Sequence, residues 1–231
     1  MVKGLDTFQK YFADYEEQYV LIGGAACDIL FESNEVNFRA TRDLDMVLIV
    51  EALTPEFGEK FWKFIVDGKY RNKATNGSNP QFYRFDKPED DNFPKMIELF
   101  CRSDFKLKDA KGITPIHIDD EVSSLSAILL NDDYYKALLN GKEVRKGLSV
   151  LRPEYIILFK AKAYLDLKRQ KDLGEKVDSS DIKKHKKDVL RIASELMLEK
   201  VEELPIAVDA DIHSFIDLLE QEPFDQNSLK R

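Results

Sequence analysis

The apolar run Met46-Val-Leu-Ile-Val50 is entered through two aspartates one residue apart, Asp43 and Asp45, and this arrangement constrains the chain more than any other. An uninterrupted apolar run of this length reads as a buried strand. Side chains alternate across a strand, so both carboxylates fall on one face, with Asp45 set between Leu44 and Met46. A charge in such apolar company is costly unless something compensates it. Two carboxylates a few ångströms apart repel by about 1 kcal/mol in water and several-fold more at lower dielectric, and a divalent cation relieves this. Oxygen-only ligands suit Mg2+ or Mn2+, whose coordination is commonly completed by substrate phosphates. The pair therefore points to phosphoryl or nucleotidyl transfer.

Upstream, Val20-Leu21-Ile22 reads as a short buried strand ending at Gly23-Gly24, and Ala25 to Phe31 as the opening of a helix. Glycine lets a phosphate approach the backbone closely, and the free amides of a helix start favour an anion. Taken alone, a Gly-Gly pair is an ordinary turn and an Asp-x-Asp a solvated strand edge. Their combination carries the chemistry.

The segment IGGAACDILFESNEVNFRATRDLDMVLIV resembles the nucleotidyltransferase superfamily, with its polymerase-beta-like fold. It is most similar to the AbiEii-type and related minor nucleotidyltransferases, where Arg-x-Thr-x-Asp-Leu-Asp follows a double glycine. The resemblance spans Tyr19 to Val50 and thins to scattered positions as far as Ile192. It implies that Asp43 and Asp45 hold two metal ions, Mg2+ or Mn2+, and that a nucleoside triphosphate is the donor. It also implies a third carboxylate on a neighbouring strand. Glu98 fits, as the only charge in Met96-Ile-Glu-Leu-Phe100, with Met96 and Phe100 sharing its face. The bland alternative is an outward-facing residue on a half-exposed strand, and Asp86 and Asp104 are weaker substitutes. Glu98 would complete the metal site and position or deprotonate an acceptor hydroxyl, with nucleoside monophosphate transferred and pyrophosphate leaving. Gly23, Gly24, Arg39, Thr41 and Arg42 would face phosphate, although loop capping accounts equally well for Arg39, Thr41 and Arg42.

Two further positions stand out later in the chain. On a helix starting at Pro153, Lys160 is flanked by Ile156, Ile157, Ala163 and Tyr164. Either its stem packs while the ammonium group snorkels to water, or it contacts the triphosphate, as the resemblance implies. The run KKHKKDVLRI resembles the family's later basic-x-x-Asp-hydrophobic motif, with Asp188 as the acid and nucleotide binding as the implied role. Pairing of Asp188 with Lys184 or Arg191 on the helix surface explains it as well.

Composition bounds the rest. A chain of 231 residues, 43% hydrophobic, can bury one large core or two modest ones. Cys27 and Cys101 both lie in apolar segments and read as small core residues in a reducing compartment. The start Met-Val-Lys-Gly-Leu-Asp lacks signal-peptide features, and no membrane span is expected, which points to a cytoplasmic protein. The net charge is -8, yet eleven basic residues stand against six acidic ones between Lys160 and Arg191. That stretch is either a patch for a nucleic acid or two solvated helices.

The expected fold is α+β: a mixed nucleotidyltransferase-type sheet with flanking helices over residues 1–151, followed by a helical carboxy-terminal domain over 152–231. Within the first part, Leu5 to Gln18 and Pro55 to Asp67 read as helices, Gln81 to Asp86 and Met96 to Phe100 as strands, and Thr114 to Ile118 and Leu125 to Leu130 as short strand-like runs. The expected function is metal-dependent nucleotidyl transfer to a hydroxyl on a tRNA end or a protein, as in the toxin half of a toxin-antitoxin pair with an antitoxin partner. The alternatives are an aminoglycoside-type small-molecule nucleotidyltransferase, which an acidic surface would suit, and a degenerate nucleotide-binding scaffold.

Overall fold

The computed structural model describes residues 2–32, 43–72, 82–100, 128 and 131–221. They form two compact units, 1–122 with 142–151, and 123–141 with 152–231. The division differs from a single boundary at Leu151. Residues 128 and 131–141 belong with the helical unit, and the chain returns to the first unit for one hairpin before leaving it again.

In the first unit, α1 (Leu5–Phe12) leads through a 3-10 turn into β1 (Tyr19–Ile22), α2 (Gly23–Glu32) and β2 (Asp43–Leu48). Helix α3 (Pro55–Asp67), β3 (Arg71–Asn72), β4 (Phe82–Asp86) and β5 (Met96–Phe100) follow, and the hairpin β6 (Lys142–Arg145) and β7 (Leu148–Leu151) completes the unit. The strands make one mixed sheet in the order β3-β4-β5-β2-β1-β7-β6. Strand β2 runs antiparallel to β1 and parallel to β5, while β4 pairs antiparallel with β5.

Helix α3 begins where the sequence places it. Thr54 caps it, its hydroxyl oxygen accepting from the Phe57 amide at 3.3 Å, and Pro55 occupies the first turn, where a missing N–H costs nothing. Its apolar face meets α1 in an aromatic cluster. Phe8, Phe12, Phe57, Phe61 and Phe64 are fully buried, with the Phe12 and Phe64 centroids 5.4 Å apart and Phe61 set edge-on to Phe85 of β4 at 5.6 Å. Leu44, Met46, Ile97, Leu99 and Phe85 are also fully buried. One face of β2, β5 and β4 is thus committed to the core. Alternation leaves Asp43, Asp45, Glu98, Arg84 and Asp86 on the other.

The second unit comprises α4 (Asp132–Gly141), α5 (Pro153–Asp172), α6 (Ser179–Glu195) and α7 (Ile206–Gln221). Helix α4 joins this unit because Tyr134, Tyr135, Ala137 and Leu138 are buried, the Tyr134 ring lies edge-on to Phe159 at 5.4 Å, and its hydroxyl donates to Asp211 at 3.0 Å. Helices α5, α6 and α7 share a core of Ala161, Tyr164, Val189 and Phe215. The strand-like runs expected at Thr114 to Ile118 and Leu125 to Leu130 lie outside the described residues, apart from Ile128. Among the described residues no helix is long and apolar enough to cross a membrane.

Candidate active site

The pairing register aligns the charged residues in rows across the sheet. Asp45 of β2 stands directly beside Glu98 of β5, and Glu98 directly beside Arg84 of β4. Asp43 pairs with Met96, and Met96 with Asp86, in the adjacent row. The two rows lie on one face, so Asp43, Asp45, Glu98, Arg84 and Asp86 form a polar patch across β2, β5 and β4.

Neighbouring strands lie about 4.8 Å apart, and like charges placed directly opposite repel. Asp45 and Glu98 are such a pair. Arg84 offsets the repulsion from the far side. Its Nη2 and Nε both donate to Oε1 of Glu98, at 2.6 and 2.9 Å. The Glu98 side chain is only 17% exposed, whereas that of Arg84 is 46% exposed, so the guanidinium reaches outward from a largely covered carboxylate. Asp86 is half-buried, and its Oδ1 is shielded from solvent with no hydrogen-bond partner among the described residues.

Asp45 is fixed from its other side by the glycine turn. Gly23, the first residue of α2, has a φ of 62°, in the left-handed region, and a Cβ built there would stand 2.1 Å from Oδ2 of Asp45. Only glycine meets both demands without displacing the carboxylate. β1 pairs Ile22 with Asp45. The turn and the aspartate are therefore one local construction, in which the start of a helix abuts a carboxylate. Gly24 follows in the first turn of α2 and is buried.

The donor set matches a hard cation in kind: oxygen ligands on one face, two from the same strand. As arranged here it stops short of a closed cluster. Among the described residues, no group of three or more His, Cys, Asp and Glu side chains is gathered closely enough to hold a metal ion, and Glu98 holds Arg84 instead. Asp43 and Asp45 carry the ligand type such a cation takes, and in Glu98 the oxygen that accepts from Arg84 is Oε1.

The remaining sequence-derived candidates divide between units. Arg39, Thr41, Arg42 and Asp104 lie outside the described residues. Lys160 and Asp188 are brought together inside the helical unit, Nζ to Oδ2 at 2.6 Å, with side chains 8% and 5% exposed. The lysine in an apolar stripe thus neither snorkels nor stands alone, because α6 supplies a buried carboxylate. Asp188 is correspondingly not a surface residue.

Arg84 is the member of the patch that sequence reasoning missed. A single cation inside the strand-like run from Gln81 to Asp86 was the available signal, but its meaning depends on the β4–β5 register, which no local pattern specifies.

No protein-family model matches the chain, and no curated protein matches it. Among solved structures it is similar to the crystal structure of an antigenic nucleotidyltransferase-like protein from Paracoccidioides brasiliensis, with 16% identity, 98% of this chain and 92% of that chain covered, and a TM-score of 0.46. At that level the likeness assigns neither an activity nor a site.

Proposed function

We propose that the chain is a metal-dependent nucleotidyltransferase that moves a nucleoside monophosphate from a nucleoside triphosphate to a hydroxyl acceptor on an RNA or a protein. The observation that carries this reading is the face shared by Asp43, Asp45 and Glu98, with Asp45 pressed against Gly23 at the start of α2. Asp43 and Asp45 would hold Mg2+ or Mn2+; when bound, such an ion neutralises phosphate charge and polarises the phosphoryl group. The amides at the start of α2 offer an anion site beside Asp45. Arg84, oriented by Glu98, presents a planar donor suited to a phosphate oxygen. Catalysis of this kind is mainly positioning and charge neutralisation. The ion pair of Lys160 with Asp188 is read as structural.

One observation favours a second reading, a nucleotide-binding protein without turnover: Glu98 is engaged by Arg84 rather than gathered with Asp43 and Asp45. Pyrophosphate release separates the two. In the enzyme reading, wild-type protein releases pyrophosphate from one triphosphate in the presence of Mg2+ and a cell RNA or protein extract, and Asp45→Asn loses at least about a hundredfold, the size of effect typical of removing one electrostatic stabiliser. Binding of a triphosphate without release under any acceptor condition would select the second reading.

A further inference from the structure

We infer that the helical unit carries a second phosphate-binding site, a hollow between α5 and α6 that takes a nucleotide phosphate group, free or within an RNA strand. The inference does not depend on the carboxylate face of the first unit.

The hollow encloses 540 Å³, within the range of small-ligand sites. Its α6 wall consists of Ser179, Ile182, Lys183, Lys186, Lys187 and Leu190, the i, i+3, i+4, i+7 spacing of a single helix face. Its α5 wall consists of Tyr164, Lys168, Lys171 and Asp172, again a single face. These are the positions that would be apolar if the two helices simply closed on one another. Tyr164 belongs to the core and Ile182 packs against it, and with Leu190 they supply the apolar part of the lining. The rest of the lining is largely lysine, so five lysines and one aspartate border the same concavity.

Two of these lysines are already oriented along the walls. Lys168 lies over the Tyr164 ring, with Nζ 5.8 Å from its centroid, and Lys171 donates to Ser179 across the hollow. A protein with net charge -8 that gathers five lysines around one cavity is repelled by polyanions elsewhere on its surface and attracts them here. Apolar side chains and cations in one lining suit a ligand with a flat uncharged part and several charged oxygens. A nucleotide has both; an acidic peptide offers only the charge.

The test uses the whole protein in EDTA, so that metal-dependent binding at Asp43 and Asp45 does not contribute. Binding of a fluorescent, 5′-phosphorylated ten-nucleotide RNA is followed by anisotropy across a salt series, with ATP and polyglutamate as competitors. Lys183→Gln/Lys187→Gln is expected to weaken RNA binding at least tenfold and to reduce the log–log salt slope by about 1.4, for two lost contacts to a single strand. Lys3→Gln/Lys69→Gln, which removes the same charge from the first unit, is expected to stay within twofold. Competition by ATP identifies the free nucleotide as a ligand, and RNA binding untouched by ATP identifies the strand; either supports the site. Absence of binding, equal loss in both double variants, or equal competition by polyglutamate would overturn it.

Discussion

Gly23 is where sequence, backbone and chemistry meet most tightly. Its positive φ and the 2.1 Å approach of a Cβ to Asp45 together predict that Gly23→Ala costs about 2–4 kcal/mol, from left-handed backbone strain plus an overpacked contact. Urea denaturation checks this, and combining it with Asp45→Gly should recover the part due to the clash but not the part due to the backbone. Asp45 itself stands beside Glu98, so Asp45→Asn removes a repulsion. The metal-free variant is expected to melt at the wild-type temperature or slightly above it. A fall of many degrees would make Asp45 a structural residue. Elsewhere in the unit, hydrogen bonds from Lys63 and Tyr11 hold the Asp67 carboxyl below the ordinary carboxylate range, and that carboxylate in turn pushes the Tyr11 hydroxyl up to about 12. A depressed carboxyl contributes stability that is complete above its unfolded value, near pH 4, and is lost as pH falls through the lower folded value. Urea midpoints measured between about pH 7 and pH 2 should therefore fall less steeply in Asp67→Asn than in wild type at the acid end.

Among the elements, α5 and α6 are tied by the pair of Lys160 with Asp188. Removing one partner leaves a buried charge uncompensated, so Asp188→Ala is expected to cost about 3–5 kcal/mol, whereas Lys160→Met/Asp188→Leu should return most of that loss. Equal destabilisation of the single and double variants would contradict the structural role. The elements also differ in how far sequence discloses them. Helix α3 and the start of α5 were legible because Pro55 and Pro153 are local signals. The shared face of Asp43 and Asp45 was legible because a strand's period is local too. Helix α4 was not assigned from sequence, although Asn131 accepts from the Asp133 amide at 2.9 Å and two aspartates follow in the first turn, both recognisable start signals. Arg84 and the partner of Lys160 were hidden for a stronger reason. Each depends on a contact between separate elements, 14 and 28 residues apart in sequence, that only packing decides.

For the whole molecule, the interleaving of the two units follows from where buried surface is available. The hairpin β6–β7 completes a sheet edge beside β1, with Leu21 paired to Val150, while α4 buries its tyrosines among helices. The charge distribution has the same local character, a basic hollow in a protein with net charge -8. The polar rows on the sheet are tested by calorimetric titration of the four ribonucleoside triphosphates with Mg2+, comparing wild type with Asp43→Asn/Asp45→Asn after both are shown to be folded. The expected result is Mg2+-dependent binding of at least one triphosphate to wild type, with loss in the double variant. Binding that is indifferent to Mg2+, or equal in the two proteins, would contradict the assignment of Asp43 and Asp45 as the metal-holding pair.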